Sequence, residues 1–537
     1  MADTAAGTEL KTLGGVLRRQ AAQRPDDTFV VFDGRQWTFR EIHEQASNLA
    51  AALAGLGVEP GDRVAIDLPN WPEFVVSMFA AAQLGATIVP LNPGYSAREL
   101  HFMLRHSEAT VAISAEHYAG TDFLQLFESL LVDLPALQYL VTVGEEDLWY
   151  DDRIFQFEDL VSSGQGRDWE RPEAEDGDKA YAIIYTSGTT GKPKGVMLSH
   201  ANLLLTAEAA AKALDLKASD RTLCCVPMLH IFGLGAIMLG LVSGSTVVLQ
   251  ESFDAERALE LVDTQRVTVL HGVPTMFVML LRHPDLEARD TSSLRTGIIA
   301  GAPVSEELAD QVRGELVPQI EIAYGLTETS PTVSITSPSD TPSQRSQTVG
   351  RPLPGVSLRI LGDEGREVEA ESVGELAIQG FNVMLGYFRQ PGETAASFTD
   401  DGYLKTGDLA MIDDDERVHI VGRVKETIIR GGYNVHPREI EDHLRAHPAV
   451  DDAVVIGLPN EVLGELICAT LLPVEGAIVS EEEVQEYCRS ALAEYKVPDV
   501  VHFMSEFPMT GTGKTRRVDV ARAVRAGVTA PEEAASD

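Results

Sequence analysis

The chain has 537 residues, which is too long for one compact core and predicts two or more domains. Hydrophobic residues make up 44% of it and charged residues 23%, an ordinary balance for a soluble globular protein. A formal net charge of −39, from 43 basic and 82 acidic residues, disfavours nucleic acid and anionic membranes as partners.

The beginning of the chain, "MADTAAGTELKTLGG", lacks the basic and apolar regions of a secretory signal. The longest apolar run, "IFGLGAIMLGLV" at 231–242, is too short to span a bilayer and predicts a buried helix. Four cysteines (Cys224, Cys225, Cys468 and Cys488) show no C-x-x-C spacing, so we expect reduced thiols in the core. These features predict a cytoplasmic protein without a transmembrane segment.

Short apolar runs alternate with helical periods over the first 340 or so residues. Strands are predicted at 63–69, 86–92, 180–187, 245–250, 266–273 and 295–301, with a helix at 73–85. Such alternation favours largely parallel sheets covered by helices, whose ligands bind beyond the carboxyl ends of the strands.

The pattern changes twice in the remainder of the chain. Residues 338–354 are rich in Ser, Thr and Pro, and "VSLRIL", "GELAIQG" and "RVHIVGR" then predict short antiparallel strands. From about residue 422 a helix ("HPREIEDHLRAHP"), two strands and a long amphipathic helix ("EEEVQEYCRSALAEY") predict a small α+β domain. The predicted fold is therefore α/β, with a β-rich subdomain and a small C-terminal domain.

One stretch, "YTSGTTGKPKG" at 185–195, has the glycines, hydroxyls and lysines of a phosphate-binding loop. It is not the G-x-x-x-x-G-K-[ST] loop, because Lys192 is followed by Pro193 and Thr186 stands at the first glycine position. It predicts a flexible loop that closes over phosphates without starting a helix directly after its lysine.

Four further stretches accompany this loop: "YGLTETSP" (324–331), "YLKTGDL" (403–409), "GRVKETIIRGGYNVHPREIE" (422–441) and "PMTGTGKTRR" (508–517). Each alone is typical of a turn or a helix cap. Together, and in this order, the five closely resemble the adenylate-forming superfamily of acyl- and aryl-CoA synthetases, nonribosomal-peptide adenylation domains and beetle luciferases. The resemblance extends from "TFREIHEQASNLAAAL" to "GKTRR", which is nearly the whole chain.

The resemblance implies a domain organisation. A large N-terminal domain would span 1–422, with α/β subdomains at about 1–175 and 176–340 and a β-rich subdomain at about 341–422. A hinge at 423–425 would join it to a mobile lid at 426–537. Lys425 would be the pivot, because members of the family rotate the small domain between two half-reactions.

The resemblance also implies the chemistry. A carboxylate attacks the α-phosphorus of ATP, pyrophosphate leaves, and a thiol such as that of coenzyme A then takes the acyl group. Phosphoryl chemistry of this kind needs charge neutralisation by hydroxyls, backbone N–H groups, Mg²⁺ and mobile cations. ATP, Mg²⁺ and coenzyme A are thus the implied co-substrates and metal.

By the same resemblance, individual residues acquire roles. The β- and γ-phosphates would be held by Thr186, Ser187, Gly188, Thr189, Thr190 and Gly191, within reach of Lys194. The adenine pocket would be formed by Gly301, Ala302, Pro303, Tyr324 and Gly325. Thr327 would contact the α-phosphate, Glu328 would bind Mg²⁺, Asp408 the two ribose hydroxyls, and Arg423 the ribose or a phosphate.

Two implied residues lie on glycine-flanked segments of the C-terminal part. Lys514 would bridge the carboxylate and the α-phosphate as charge develops, and we expect it to be the decisive lysine. Gly432 would let the pantetheine arm of coenzyme A pass close to the backbone.

The acid substrate is predicted from "PMLHIFGLG" at 227–235, where His230 matches the histidine that gates the acyl site in the family. No aspartate stands in this segment to pair with a substrate ammonium, which argues against an amino acid. The surrounding runs are apolar, and Gly233, Gly235 and Ala236 would leave room for an alkyl chain. A medium- or long-chain fatty acid is therefore preferred over an aryl acid, although a packed core helix explains the same residues.

Several alternatives stay open. The acceptor could be a carrier-protein phosphopantetheine instead of free coenzyme A, and the acid could be aryl. A luciferase-like oxygenase or a non-catalytic nucleotide-binding protein is disfavoured, the latter by the intact set of Glu328, Asp408, Arg423 and Lys514. The oligomeric state stays open, with a homodimer as one alternative.

Overall fold

The computed structural model describes residues 12–146, 151–169, 176–186, 193–362, 365–368, 371–430, 433–460, 462–509 and 515–528. The chain forms two compact units: unit 1 comprises Met1–Ser357 and Ile378–Leu404, and unit 2 comprises Leu358–Ala377 and Lys405–Asp537. The predicted hinge at 423–425 falls within unit 2, and the predicted domain bounds stay a prediction. No helix in the described ranges has the length and apolar character needed to cross a membrane.

The helices are α1 (Leu13–Gln23), α2 (Phe39–Gly55), α3 (Pro72–Leu84), α4 (Ala97–Ser107), α5 (Phe123–Leu131), α6 (Phe157–Ser163), α7 (His200–Ala213), α8 (Ile231–Ser243), α9 (Ala255–Gln265), α10 (Pro274–Leu281), α11 (Glu306–Glu315), α12 (Pro342–Gln347), α13 (Pro391–Ser397), α14 (Pro437–Arg445), α15 (Glu481–Arg489) and α16 (Arg517–Val528). Short 3₁₀ turns lie at Pro284–Ala288, Thr327–Thr329, Val424–Glu426 and Glu494–Lys496.

The strands are β1 (Thr28–Phe32), β2 (Arg35–Thr38), β3 (Arg63–Asp67), β4 (Thr87–Pro90), β5 (Val111–Ala115), β6 (His117–Tyr118), β7 (Thr121–Asp122), β8 (Tyr139–Val143), β9 (Ile154–Gln156), β10 (Ala180–Thr186), β11 (Lys194–Ser199), β12 (Arg221–Cys224), β13 (Thr246–Leu249), β14 (Val269–Gly272), β15 (Thr296–Ile299), β16 (Gln319–Tyr324), β17 (Ser334–Ile335), β18 (Arg351–Pro352), β19 (Val356–Leu361), β20 (Gly374–Gly380), β21 (Gly386–Tyr387), β22 (Leu404–Ile412), β23 (Val418–Arg423), β24 (Ile428–Arg430), β25 (Tyr433–Val435), β26 (Val450–Asn460), β27 (Gly464–Pro473) and β28 (Val500–Phe503).

Two large sheets form unit 1. One has the order β18-β17-β16-β15-β14-β12-β13-β1-β2, and its strands from β16 to β1 are parallel. The other has the order β21-β11-β10-β4-β3-β5-β8-β9, with β10 to β9 parallel and β11 antiparallel at one side. The prediction of parallel, helix-covered sheets is confirmed. Parallel neighbours need crossover connections, and helices supply them here.

The helices of unit 1 follow from local sequence. At α2, Thr38 and Glu41 form a reciprocal capping box that satisfies backbone N–H groups at the start of the helix. By contrast α8 is apolar on nearly all sides and most of its residues are buried, as predicted for 231–242. It ends at Gly244, which has the positive φ of 70° that commonly stops a helix.

The four cysteines are buried and free, as predicted. Burial raises the pKa of the Cys225 thiol to about 12 and raises that of Cys468 to about 11, so both stay protonated at neutral pH. A buried neutral thiol packs as a small apolar group, and none of the four has the low pKa of a reactive cysteine.

Two smaller sheets consist largely of residues from unit 2. The four-stranded sheet β19-β20-β22-β23 includes the antiparallel pair β22 and β23. In the other sheet, β26 and β27 form a long antiparallel hairpin, with β24 and β28 beside β27. The helix predicted at 481–495 is shorter in the structure, because α15 ends at Arg489 and a separate 3₁₀ turn forms at Glu494–Lys496.

Candidate active site

The predicted phosphate loop connects two paired strands of unit 1. Thr186 ends β10, Lys194 begins β11, and the two residues are direct antiparallel partners. The predicted phosphate-binding residues Ser187, Gly188, Thr189, Thr190 and Gly191 lie outside the described residues, so their roles stay predictions.

The predicted adenine-binding segments follow two adjacent parallel strands. Gly301, Ala302 and Pro303 come just after β15, and Tyr324 ends the neighbouring strand β16. Gly301 has a φ of +88°, and a Cβ on Gly325 would lie 1.5 Å from the carbonyl oxygen of Pro331. Both glycines are therefore required by the backbone, and the structure brings the two segments to the same edge of the sheet.

Glu328 lies in the 3₁₀ turn Thr327–Thr329, directly after the Tyr324 segment. Its Oε1 accepts a hydrogen bond from the hydroxyl of Tyr387 at 2.9 Å, and its backbone carbonyl accepts one from the amide of Met384 at 2.9 Å. No further side-chain hydrogen bond of Glu328 occurs among the described residues, which leaves its Oε2 available.

This arrangement fits a magnesium ion that is bound mainly by a nucleotide. Mg²⁺ is commonly held by one or two carboxylates together with substrate phosphates and water. The described ranges contain no cluster of three or more His, Cys, Asp or Glu that could hold a metal without a substrate. Glu328 would supply the carboxylate, and the metal would neutralise phosphate charge.

Lys194 lies beside the same tyrosine. Its ammonium is 4.7 Å from the centre of the Tyr387 ring and forms an ion pair with the carboxylate of Glu393 on α13. The Lys194 side chain is only 14% exposed, so both contacts act in a partly desolvated environment. Lys194 and Glu328 thus contact one tyrosine. We call the group of Lys194, Glu328, Tyr387 and Glu393 the polar junction.

Asp408 and Arg423 are paired in unit 2. They are direct partners on the antiparallel strands β22 and β23, and Arg423 Nε lies 3.0 Å from Asp408 Oδ1. The Asp408 side chain is 5% exposed, whereas that of Arg423 is 57% exposed. Glu375 fixes the adjoining turn by accepting a hydrogen bond from the amide of Gly407 at 2.9 Å. The predicted ribose carboxylate is thus buried and paired with a cation.

The predicted pivot Lys425 is exposed and lies in the 3₁₀ turn Val424–Glu426. Glu426 is 3.5 Å from the guanidinium of Arg517, which also pairs with the buried Glu441. Lys514 and Gly432 lie outside the described residues. Their predicted roles therefore stay predictions.

His230 stands at the start of α8, immediately after the loop that follows β12. This places it at the carboxyl edge of the same sheet that carries Gly301 and Tyr324. A Cβ on Gly233 would lie 2.2 Å from the carbonyl oxygen of Pro227, and one on Gly235 would lie 3.4 Å from Pro331. The two glycines of α8 thus make room for Pro227 and Pro331 of the protein itself. Gly233 therefore opens no space for the alkyl chain of a substrate.

Asp67 is a further acid at the carboxyl edge of the second sheet, at the end of β3. It is 1% exposed, and neither carboxylate oxygen has a hydrogen-bond partner among the described residues. Burial raises the pKa of Asp67 to about 7. Having no hydrogen-bond partner within the described ranges distinguishes it from Asp408 and Glu328.

A cavity of about 780 Å³ opens elsewhere in unit 1, beside Trp37, Trp71 and His117. None of the predicted site residues lines it. The candidate site is therefore located by the polar residues described above and not by the volume of this cavity.

Sequence reasoning missed Tyr387 and Glu393. Both belong to the segment "GYFRQPGET", in which the aromatic residue follows a glycine with a φ of +138° at Gly386. A glycine beside a tyrosine after a predicted strand is a weak signal, and only the contacts of Tyr387 and Glu393 with Lys194 and Glu328 show its importance.

Known proteins resemble the chain over almost its full length. Residues 17–388 match the AMP-binding enzyme family, and residues 439–514 match the AMP-binding enzyme C-terminal domain. Feruloyl-CoA synthase of Amycolatopsis sp is 35% identical over 512 residues, covering 95% of this chain and 98% of the relative. Medium-chain acyl-CoA ligase ACSF2, mitochondrial, of Bos taurus is 31% identical over 531 residues, covering 94% of this chain and 86% of the relative.

A solved structure extends the likeness to three dimensions. ATP-bound MatB from Rhodopseudomonas palustris superposes with a TM-score of 0.86 at 28% identity, covering 96% of this chain and 99% of that chain. The match of residues 17–388 alone accounts for well over half of the 537 residues. The chain belongs to the adenylate-forming superfamily of AMP-binding enzymes.

Proposed function

We propose that the protein is an AMP-forming acyl-CoA ligase whose substrate is a medium- or long-chain fatty acid. In the first half-reaction the carboxylate oxygen bonds to the α-phosphorus of ATP and pyrophosphate leaves. In the second, the thiol of coenzyme A attacks the acyl carbon, the C–O bond breaks, and AMP leaves with that oxygen. Its setting would be the cytoplasm.

The observation that carries this proposal is the polar junction of unit 1. It places a cation, Lys194, and a carboxylate with an available oxygen, Glu328, against one tyrosine, and Lys194 begins the strand that leaves the phosphate loop. Phosphates bound in that loop need both a cation and a metal ligand nearby. Relatives named as CoA synthase and CoA ligase, at 31% to 35% identity, support the same reaction class.

The remaining roles follow the predicted positions. Tyr324 would stack on adenine, and Thr327 would donate a hydrogen bond to the α-phosphate. Asp408, with two carboxylate oxygens, would accept hydrogen bonds from both ribose hydroxyls, supported by Arg423. His230 would gate the acyl site at the start of α8.

Lys514 would neutralise charge that develops between the carboxylate and the α-phosphate. Lys514→Ala should lower adenylate formation by roughly 100-fold or more, because fixed charge at such a position is worth several kcal/mol. Thioester formation from supplied acyl-adenylate should change far less. Lys212→Ala, at an exposed position on α7, is the matched control. Equal loss in both half-reactions would contradict the role.

The acid is the open part of the proposal, and an aryl acid is the second candidate. The filled space beside Gly233 removes one argument for an alkyl chain. The apolar character of buried α8 still favours an apolar acid over an amino acid. An apolar pocket discriminates by about 1–3 kcal/mol per methylene, so several related acids should react.

ATP–pyrophosphate exchange tests the proposal with a panel of fatty, aryl and amino acids, followed by thioester detection with coenzyme A or a phosphopantetheine carrier protein. We expect exchange with fatty acids and thioester with free coenzyme A. Exchange with aryl acids alone would replace the fatty acid, and thioester only on the carrier would replace coenzyme A. If no acid supports pyrophosphate exchange, the proposal that the protein is an acyl-CoA ligase is refuted.

A further inference from the structure

A segment that the sequence analysis left without a role, residues 384–397, connects β11, the strand that follows the predicted phosphate loop, to the turn of Glu328. Its backbone donates hydrogen bonds from Leu385 to Met197 at 2.9 Å and from Phe388 to Gly195 at 2.8 Å. Through β21 it is paired with β11, the strand that Lys194 begins. The amide of Met384 holds the carbonyl of Glu328. One short segment therefore holds both the strand that Lys194 begins and the backbone of Glu328.

The same segment contributes the side chain at the centre of the polar junction. The Tyr387 hydroxyl donates to Oε1 of Glu328 at 2.9 Å, while the Lys194 ammonium lies 4.7 Å from the ring centre. Tyr387 itself is 8% exposed. Glu393, on the following helix α13, forms an ion pair with the Lys194 ammonium.

We infer that Tyr387 is a positioning residue for the nucleotide reaction: its hydroxyl orients the Glu328 carboxylate, and its ring, with Glu393, restrains Lys194. The inference rests on the proposed function. Tyr387 acts through these two side chains and needs no contact with ATP.

The Tyr387 hydroxyl is a neutral donor. Like any phenol, it donates a hydrogen bond without carrying a charge, and it does so to Oε1 of Glu328 at 2.9 Å. A neutral donor fixes Oε1 without cancelling the charge of the carboxylate, whereas an arginine at this place would compete with a metal ion. Oε2 of Glu328 is thus oriented, and no described residue competes for it with a divalent cation.

Tyr387→Phe tests the hydroxyl, because it removes one oxygen and keeps the ring. We expect the half-saturating Mg²⁺ concentration of ATP–pyrophosphate exchange to rise about 10-fold, the size typical of a hydrogen bond to a charged group. The KM for the acid should stay unchanged, a separation that general loss of structure would not give. Tyr139→Phe, on β8 near the opposite side of the same sheet, is the matched control.

A double-mutant cycle identifies the partner. In a Glu328→Gln background, Tyr387→Phe should have no further effect on the Mg²⁺ dependence, because the group it orients is gone. An equal effect in both backgrounds would overturn the inference. So would an unchanged Mg²⁺ dependence of Tyr387→Phe in an enzyme that does exchange pyrophosphate. If the wild-type protein shows no exchange with any acid, the proposed function itself fails.

Glu393→Gln independently tests whether Glu393 restrains Lys194. It is a conservative change of a side chain that is 44% exposed. It should change the KM for ATP by about 3-fold or more, since the removed charge is the partner of Lys194. The Mg²⁺ dependence should be unaltered. If Tyr387→Phe does not fold, an unchanged KM for ATP in Glu393→Gln overturns the inference on its own.

Discussion

Two carboxylates predicted to contact ATP differ in what holds them. In unit 2, Asp408 is paired with a cation, the Arg423 guanidinium at 3.0 Å. In unit 1, Glu328 accepts a hydrogen bond from a neutral phenol, that of Tyr387 at 2.9 Å. Both are fixed in direction, but among the described residues Asp408 has a cationic partner and Glu328 has none.

The difference shows which ligand each acid suits. A carboxylate beside an arginine is already neutralised and can accept hydrogen bonds from neutral hydroxyls, such as those of a ribose. A carboxylate fixed by a neutral donor keeps its charge for a metal ion that binds with phosphates. The proposed assignments of ribose to Asp408 and Mg²⁺ to Glu328 follow this difference.

The largest effect is expected for Glu328→Gln, which keeps the size of the side chain and removes its charge. ATP–pyrophosphate exchange should fall by about 1,000-fold at fixed Mg²⁺, because charge stabilisation at a phosphate is worth several kcal/mol. Glu256→Gln, an exposed position on α9, is the control. A loss of less than about 10-fold would contradict the proposed role of the Glu328 charge in binding Mg²⁺.

Asp67 extends the comparison to an acid with neither a cation nor a donor among the described residues. Its pKa is raised from 3.8 to about 7, so the folded state holds the proton more tightly than the unfolded chain. The stability it contributes is complete below about pH 4 and is lost as the pH rises to about 7. Unit 1 should therefore lose about 3 kcal/mol of unfolding free energy between about pH 5 and pH 8.

Asp67→Asn should abolish that part of the pH dependence. Urea unfolding followed by tryptophan fluorescence measures it, because the sequence has four tryptophans and all lie within residues 1–357 of unit 1. Wild-type protein and variant should diverge as the pH rises. Parallel curves over this range would show that the proton of Asp67 is not held by burial.

A smaller effect is expected for Asp408→Asn. The amide keeps one acceptor oxygen but loses both the charge and the pairing with Arg423, so the KM for ATP should rise about 10-fold with kcat nearly unchanged. Asp414→Asn, an exposed position between β22 and β23, is the control. A rise in the Mg²⁺ requirement instead of the KM for ATP would reverse the two assignments.

The sequence predicted the parallel sheets because each buried strand is a continuous apolar run. The predicted strands at 63–69 and 295–301 correspond to Arg63–Asp67 and Thr296–Ile299. The predicted strand at 295–301 placed Gly301 at a strand end, and the sheet brings it to the same edge as Tyr324, which ends the neighbouring strand β16. Local patterns sufficed here because strand formation and glycine geometry are local properties.

Contacts between distant parts of the chain could not be predicted in this way. Tyr387 and Glu328 are 59 residues apart, and Lys194 and Glu393 are 199 apart. The filled space at Gly233 likewise depends on the backbone of Pro227, which composition does not reveal. Even α15 was predicted too long, since its periodic pattern continues past Arg489 where the helix ends.

The most direct test of the central claim follows the carboxylate oxygen of the acid. A fatty acid labelled with oxygen-18 in both carboxylate oxygens is converted in the presence of ATP, Mg²⁺ and coenzyme A, and the products are analysed by mass spectrometry. An acyl-adenylate route predicts one labelled oxygen in the phosphate of AMP for each acyl-CoA formed, with pyrophosphate unlabelled. Unlabelled AMP, or ADP and inorganic phosphate as products, would contradict it.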